Sequence, residues 1–425
     1  MFRASQIPIT KEIIKEINSV LFKFVWKSGR DKIKRRTLIS DYKNGGLRMP
    51  HIETLIKTQR IMCMKKYLDG YKSTWKVFLD NYLLEFGGSF LLKCNYDVKF
   101  LPKTLPKFYK ECLNEWASYK ETHISTPSNV LNEIIWNNKF ICIGGKPLFK
   151  NKIAKKGIIK LCDLFNDTGK LKTWDVLKNE NITMAEYFLL MSVFDTIPLE
   201  WKTILKQQLQ TAHANTSDFE DVAFPTSSRV LYWDLVKKIE ITPTSKCKYE
   251  ELFPTTDLPW QEIYLLPRSV TVDTKTREFR YKSLHRIVFT NKALKMVIVS
   301  SSLCTFCGKF EEPLEHLFIH CEITSSFWLS VTEWLKNYFT NFHNLSATNI
   351  TFGFFRKDFL LLNHIVILCK QVIFQCRILN IKPSLSLLKA KIKITYKLEL
   401  SIAKQNFKLE IHNKKWKELL PVVQH

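Results

Sequence analysis

Near the start of the chain, Ile13, Ile14, Ile17, Val20, Leu21 and Phe24 recur at helical spacing, which predicts an amphipathic helix over residues 7–26. Thr10 suits its N-cap, and the helix must end before Gly29. Asn44-Gly45-Gly46 then supplies the positive-φ positions of a tight turn, and a second helix is expected from near His51 to about Gly70. Residues 72–200 are rich in aromatics and lysine and are broken by Pro102 and Pro106, so mixed helices and short strands are expected there. Two stretches, 211–229 and 241–259, carry Pro, Ser and Thr without periodicity. They read as linkers or long loops and place a domain boundary between about 210 and 255.

The C-terminal part returns to helical spacing. After a cap at Thr271 or Asp273, Phe279, Ser283, Leu284, Ile287 and Val288 fall in one sector of a helical wheel, while Lys275, Lys282 and Arg286 align on another. Arg277 and Arg280 intrude into the apolar sector, and the pattern alone does not explain them. The apolar run from Asp358 to Leu379 is interrupted by Asn363, His364, Lys370, Gln371 and Gln375, which reads as a buried helix and not a membrane span. Ile392, Tyr396, Leu400, Ala403, Phe407 and Ile411 continue the helical period in a basic tail with 10 Lys and 3 Glu from Lys382 onward.

Composition sharpens the class. Only 12 glycines stand among 425 residues dominated by helix formers, so the expected fold is mainly α with minor β, in a multi-domain chain. The expected regions are a helical one at 1–70, a mixed one at 71–210, a linker at 211–259 and a C-terminal helical domain at 260–425. A formal charge of +25 calls for a polyanionic partner, RNA or DNA before an anionic membrane. The N-terminal residues lack the apolar core of a secretory signal, and the 11 cysteines show no regular spacing outside one cluster. A reducing compartment, nuclear or cytoplasmic, is the expectation.

That cluster is Cys304-x2-Cys307-x8-His316-x4-Cys321. The Cys-x2-Cys turn, helped by Gly308, brings two thiolates to one tetrahedral ion, and the following helix, with Pro313 in its first turn and Glu311 and Glu312 at its positive end, adds His316. His320 lies one helical turn after His316 and competes with Cys321 as fourth ligand; the stronger thiolate donor favours Cys321. Four protein ligands leave no open position, so the expected zinc is structural, in a small stapled knuckle.

Two basic segments are candidates for phosphate contact. Lys27, Arg30, Lys32, Lys34, Arg35 and Arg36 surround a single acid, Asp31, and the stripe of Lys275, Lys282 and Arg286 forms the second set. A plain solvated surface is the competing reading of both. No phosphate-loop, zinc-protease or nucleophile-elbow motif occurs, and no Asp-Asp dipeptide is present for a two-metal polymerase site. Nothing nominates a catalytic residue.

Four ordered segments carry a resemblance: "FKFVWKSGRDKIKRRTLISDYKNGGLRMPHIE", "WQEIYLLPRSVTVDTKTREFRYKSLHRIVFTNKAL", the cysteine–histidine cluster ending in "EHLFIHC", and "CRILNIKPSLSLLKAKIKITYKLE". Together they resemble the part of LINE-type non-LTR retrotransposon reverse transcriptases downstream of the polymerase palm. The resemblance implies a thumb-like helical region, then a Cys-rich domain with a reverse-transcriptase-type zinc motif that grips template RNA and target DNA. Palm and endonuclease motifs are missing, so synthesis and nicking are not carried over, and a truncated, non-catalytic portion is expected. The palm domains are a further candidate partner. A zinc-stapled protein-interaction module and a functionless relic are the rival readings.

Overall fold

The computed structural model describes residues 9–27, 29–69, 73–124, 127–166, 170–211, 226–294 and 301–423. Most of them are helical, and the named strands are two of two residues each. The chain divides into two compact units, one of Met1–Leu21 with His51–Lys238 and one of Phe22–Pro50 with Ile239–His425. Residues 212–225 of the linker expected at 211–229 lie outside the described residues.

The first predicted helix, α1, spans Lys11–Trp26. Its Phe22 is buried, whereas Val20 and Phe24 are exposed, Phe24 at 85%. In the first unit α2 (Ile52–Leu68) starts where expected, because the His51 side chain accepts from the Thr54 N–H. It packs on α3 (Lys107–Ile124), and Ile61, Met64, Leu79, Leu113 and Trp116 form the core around them. Packing needs partners for the polar atoms it buries. Trp116 Nε1 donates to the Leu92 carbonyl at 2.9 Å, and buried Lys120 donates to the carbonyls of Lys93 and Cys94 at 2.7 and 2.8 Å. A second core gathers Trp136, Ile158, Leu161, Leu190 and Leu205. Here lies the β structure: β1 (Cys142–Ile143) and β2 (Lys146–Pro147) form a hairpin across Gly144 and Gly145, both at positive φ. The helix α4 (Ser228–Lys237) adds Leu231 to the α2–α3 core.

The second unit opens with the turn at 44–46. Gly45 has φ 80°, and a Cβ on Gly46 would lie 1.9 Å from the Ser40 carbonyl oxygen, so both glycines are required, for different reasons. The segment 241–259 corrects its reading as a linker: it holds α5 (Thr244–Leu252), with Tyr249 buried and its hydroxyl donating to the Ser283 carbonyl at 3.1 Å. Next come α6 (Trp260–Val270) and α7 (Thr274–Leu284), the latter capped by Asp273, one of the two candidate caps. Arg277 and Arg280 now have reasons. Buried Arg280 donates to the Thr351 and Phe352 carbonyls at 2.6 and 2.9 Å, closing the C-terminus of α9 (Ala347–Phe352), and Arg277 donates to the Thr271 carbonyl at 2.7 Å, beyond the end of α6.

The core of this unit is built on α10 (Leu360–Ile378), buried along most of its length. Around it lie α8 (Glu322–Lys336), α11 (Leu385–Gln405) and α12 (Leu409–Trp416). Its buried His364 faces the Lys415 ammonium at 2.9 Å; Lys415 also donates to Glu399 at 2.6 Å, and Glu399 accepts from Thr271 and Trp416. The tail departs from its predicted period: α11 stops at Gln405, Phe407 takes φ 56° and is 96% exposed, and Ile411 is exposed. The single continuous helix expected there is two.

Candidate metal centre and basic cleft

The chain reverses tightly before the first ligand pair closes. Cys304 N–H donates to the Phe310 carbonyl at 2.8 Å, Glu312 N–H donates to the Ser302 carbonyl at 2.9 Å, and Gly308 N–H returns to the Cys304 carbonyl at 2.9 Å with φ 66°. Cys304 and Cys307 therefore project from one narrow loop. His316 follows on a π-helical turn, His316–His320, in which Cys321 N–H donates to the His316 carbonyl five residues back at 2.9 Å. Carbonyls of that wide turn take side-chain donors: Trp328 Nε1 donates to Phe318 at 2.7 Å and Ser325 Oγ to Ile319 at 2.9 Å. Cys321 then leaves the turn in an extended conformation and precedes α8.

Donor atoms of Cys304, Cys307, His316 and Cys321 all lie within 4.8 Å of one another. The Cys304 and Cys321 sulfurs are 3.8 Å apart, and the Cys307 sulfur is 3.4 Å from His316 Nε2. A tetrahedron with ordinary zinc–sulfur and zinc–nitrogen bonds has edges of about 3.8 Å and about 3.6 Å between those atom types. The donor set therefore fits one zinc ion, with no position left for substrate. His320, the rival to Cys321, is exposed on the π turn.

Local electrostatics prepare the donors differently. Burial pushes the Cys304 thiol up to about 12. At Cys307 burial also acts upward, but N–H donors from Lys309 and Phe310 outweigh it and lower the pKa. Burial lowers His316, keeping the imidazole in the neutral form that a metal needs.

Glu312 corrects another expectation, that of a residue decorating a helix end. Its carboxylate is fully buried, accepting from Arg377 Nε at 2.6 Å, Asn291 N–H at 2.8 Å and Thr305 N–H at 3.0 Å. Arg377 belongs to α10 and also donates to Asn291 at 2.7 Å. The ligand loop is thus tied to the core helix by a buried ion pair. Sequence reasoning missed this hub because its members lie 65 residues apart and no local pattern joins them.

A closed cysteine–histidine knuckle of this kind is a structural zinc site. Residues 244–328, about one fifth of the chain, match a family model described as zinc-binding in reverse transcriptase. The segment is a reverse-transcriptase-related zinc domain. No curated protein matches the chain.

The basic candidates separate into three groups. Lys27, Arg30, Lys34 and Arg36 are exposed along the loop after α1 and its following helical turn. Arg35 is paired with Asp31 at 2.7 Å and lies over the Phe22 ring, and Arg286 sits past the end of α7 with φ 59°, its guanidinium on Glu315 of the zinc turn. Arg286 is therefore not part of the helical stripe proposed for it. Lys32, Lys275 and Lys282 instead line one cleft of about 230 Å³ with Glu278, Phe279, Ile287, Val288, Phe289 and Phe374. The only carboxylate there among the described residues, Glu278, is 2.5 Å from Lys282, while Lys32 rests over the Phe289 ring at 4.0 Å.

Proposed function

We propose that this chain is a nucleic-acid-binding portion of a LINE-type non-LTR retrotransposon reverse transcriptase, holding RNA or DNA by phosphate contacts while zinc secures the fold. The observation that carries this reading is the cleft: Lys32 arrives from one basic segment and Lys275 and Lys282 from another, far away in sequence. Three lysines lining one cleft beside a single carboxylate are a poor arrangement for stability alone and a good one for an anion. The reading assigns no catalytic step to the chain.

The test is the affinity of the zinc-loaded chain for labelled RNA and for nicked duplex DNA across a salt series. Log affinity is expected to fall steeply and linearly with log salt, at roughly 0.7 per phosphate engaged on a single strand. Reversing Lys32, Lys275 and Lys282 to Glu flattens that line. A flat response in the native chain, or no binding at low salt, defeats the proposal.

One observation favours a second reading, a surface for another polypeptide: Ile13, Ile17, Val20 and Phe24 form an exposed apolar stripe along α1. A partner held there by apolar contact would bind with little salt dependence, and Val20→Glu would release it.

A further inference from the structure

We infer that the Lys32–Lys275–Lys282 cleft takes one unpaired nucleotide of a single strand, its base stacked on Phe289 and its phosphates on the lysines. This rests on the phosphate-binding reading above and narrows it from nucleic acid in general to unpaired strands.

Size is the first argument. At about 230 Å³ the cleft falls below the roughly 300–1,000 Å³ of sites that engulf a free small molecule. It therefore admits a portion of something longer. Chemistry is the second argument. The walls are the apolar faces of Phe279, Ile287, Val288 and Phe374, and the charged groups stand among them. A ligand matching that surface has a flat apolar part beside negative charge, as a nucleotide does.

Phe289 supplies the third argument. The ring is 47% exposed although it borders an apolar cleft that could have covered it. It is covered in part by the Lys32 ammonium, and no carboxylate pairs with Lys32 or Lys275 among the described residues. Lys32 is held below its ordinary pKa by burial and by the Lys282 charge, a repulsion that an incoming phosphate relieves. Transfer of the ammonium from ring to phosphate would open the ring face to a base. Every base offers a π face, so the contact is tolerant of sequence, but a duplex keeps its bases stacked inside and cannot offer one.

The experiment uses the full zinc-loaded chain, a labelled single strand of about twelve nucleotides and a blunt duplex of equal length. Phe289→Ala should weaken single-strand binding roughly tenfold, leave duplex binding within about twofold and leave the salt slope unchanged, because no charge is lost. Phe289→Trp should restore single-strand affinity. Equal losses on both ligands, or none on either, overturn the inference while the phosphate reading stands. Full displacement of the strand by a free mononucleotide also overturns it, since the site would then take a small molecule. Absence of binding by the native chain to either form removes both readings. Zinc content and thermal midpoint, measured on each variant, show that the fold is intact; were Phe289→Ala to unfold, Phe289→Ser and the Trp variant provide the same comparison.

Discussion

The zinc knuckle and the basic cleft both gather like groups that cannot satisfy one another, and they do so in opposite ways. In the knuckle, four electron-pair donors are fixed by backbone turns, so the spacing of their atoms defines the ligand. In the cleft, three lysines and one carboxylate, which is paired with Lys282, line the same space. Their positions define only a charge, a volume and an adjoining ring. Geometry reaches further in the first than in the second: closely spaced donors name an ion, whereas cations on flexible stems name a chemical class.

Loss of a metal ligand should have the largest effect. Cys321→Ser should reduce zinc from one ion per chain to nearly none and lower unfolding free energy by at least about 4 kcal/mol, read by metal analysis and urea titration. His320→Ala should change neither; zinc retained in the first variant and lost in the second would reverse the ligand assignment. Next comes the buried support of the ligand loop. Glu312→Gln leaves the Arg377 guanidinium buried without its charge partner, and about 3 kcal/mol should be lost, part of it recovered in the double variant with Arg377→Met.

A smaller effect follows from two buried histidines. Burial lowers His285 to about 4, and burial with the Lys415 charge lowers His364 to about 3. Unfolded chains take up these protons near pH 6.5, before the folded protein does. Stability is therefore full above that pH and lost as pH falls toward the folded values. From pH 7.5 to pH 5 each histidine should cost about 2 kcal/mol, measured as a shift of the urea midpoint in zinc-saturated buffer. His285→Gln should flatten the profile; an unchanged slope would mean that this ring is already protonated or solvated. Least disruptive is Lys275→Ala, with a severalfold loss of strand affinity, a salt slope shallower by about 0.7 and no change in zinc.

Local signals carried much of this into the sequence. The quartet of ligands, the helix start near His51 and the Gly45-Gly46 turn each depend on residues a few positions apart, and the interrupted apolar run of α10 declares its burial by composition. What was illegible depends on distance. Arg280 looked misplaced because the carbonyls it closes belong to α9, some seventy positions later. The helix α5 looked like a linker because its stabilisation comes from Tyr249 entering a core with Ile263 and Phe352, not from any period of its own. Phe407 kept the helical rhythm while its backbone left the helix at φ 56°, and rhythm alone cannot register that break. The cleft was half legible: both basic segments stood out, but not that they meet.

The π turn at His316–His320 carries a consequence for how the domain tolerates change. Its hydrogen bond spans five residues, so the turn holds one residue more than an ordinary α turn, and that residue lets Cys321 face the other three donors. Spacing and turn width are one feature seen twice. Were the segment to rewind as a plain α-helix with all its residues kept, Cys321 would fall about 140° around the axis from His316, away from the other donors, whereas replacing Leu317 or Ile319 with another apolar residue would leave the wide turn in place. In this segment the width of the turn matters more than the identity of the apolar residues that fill it.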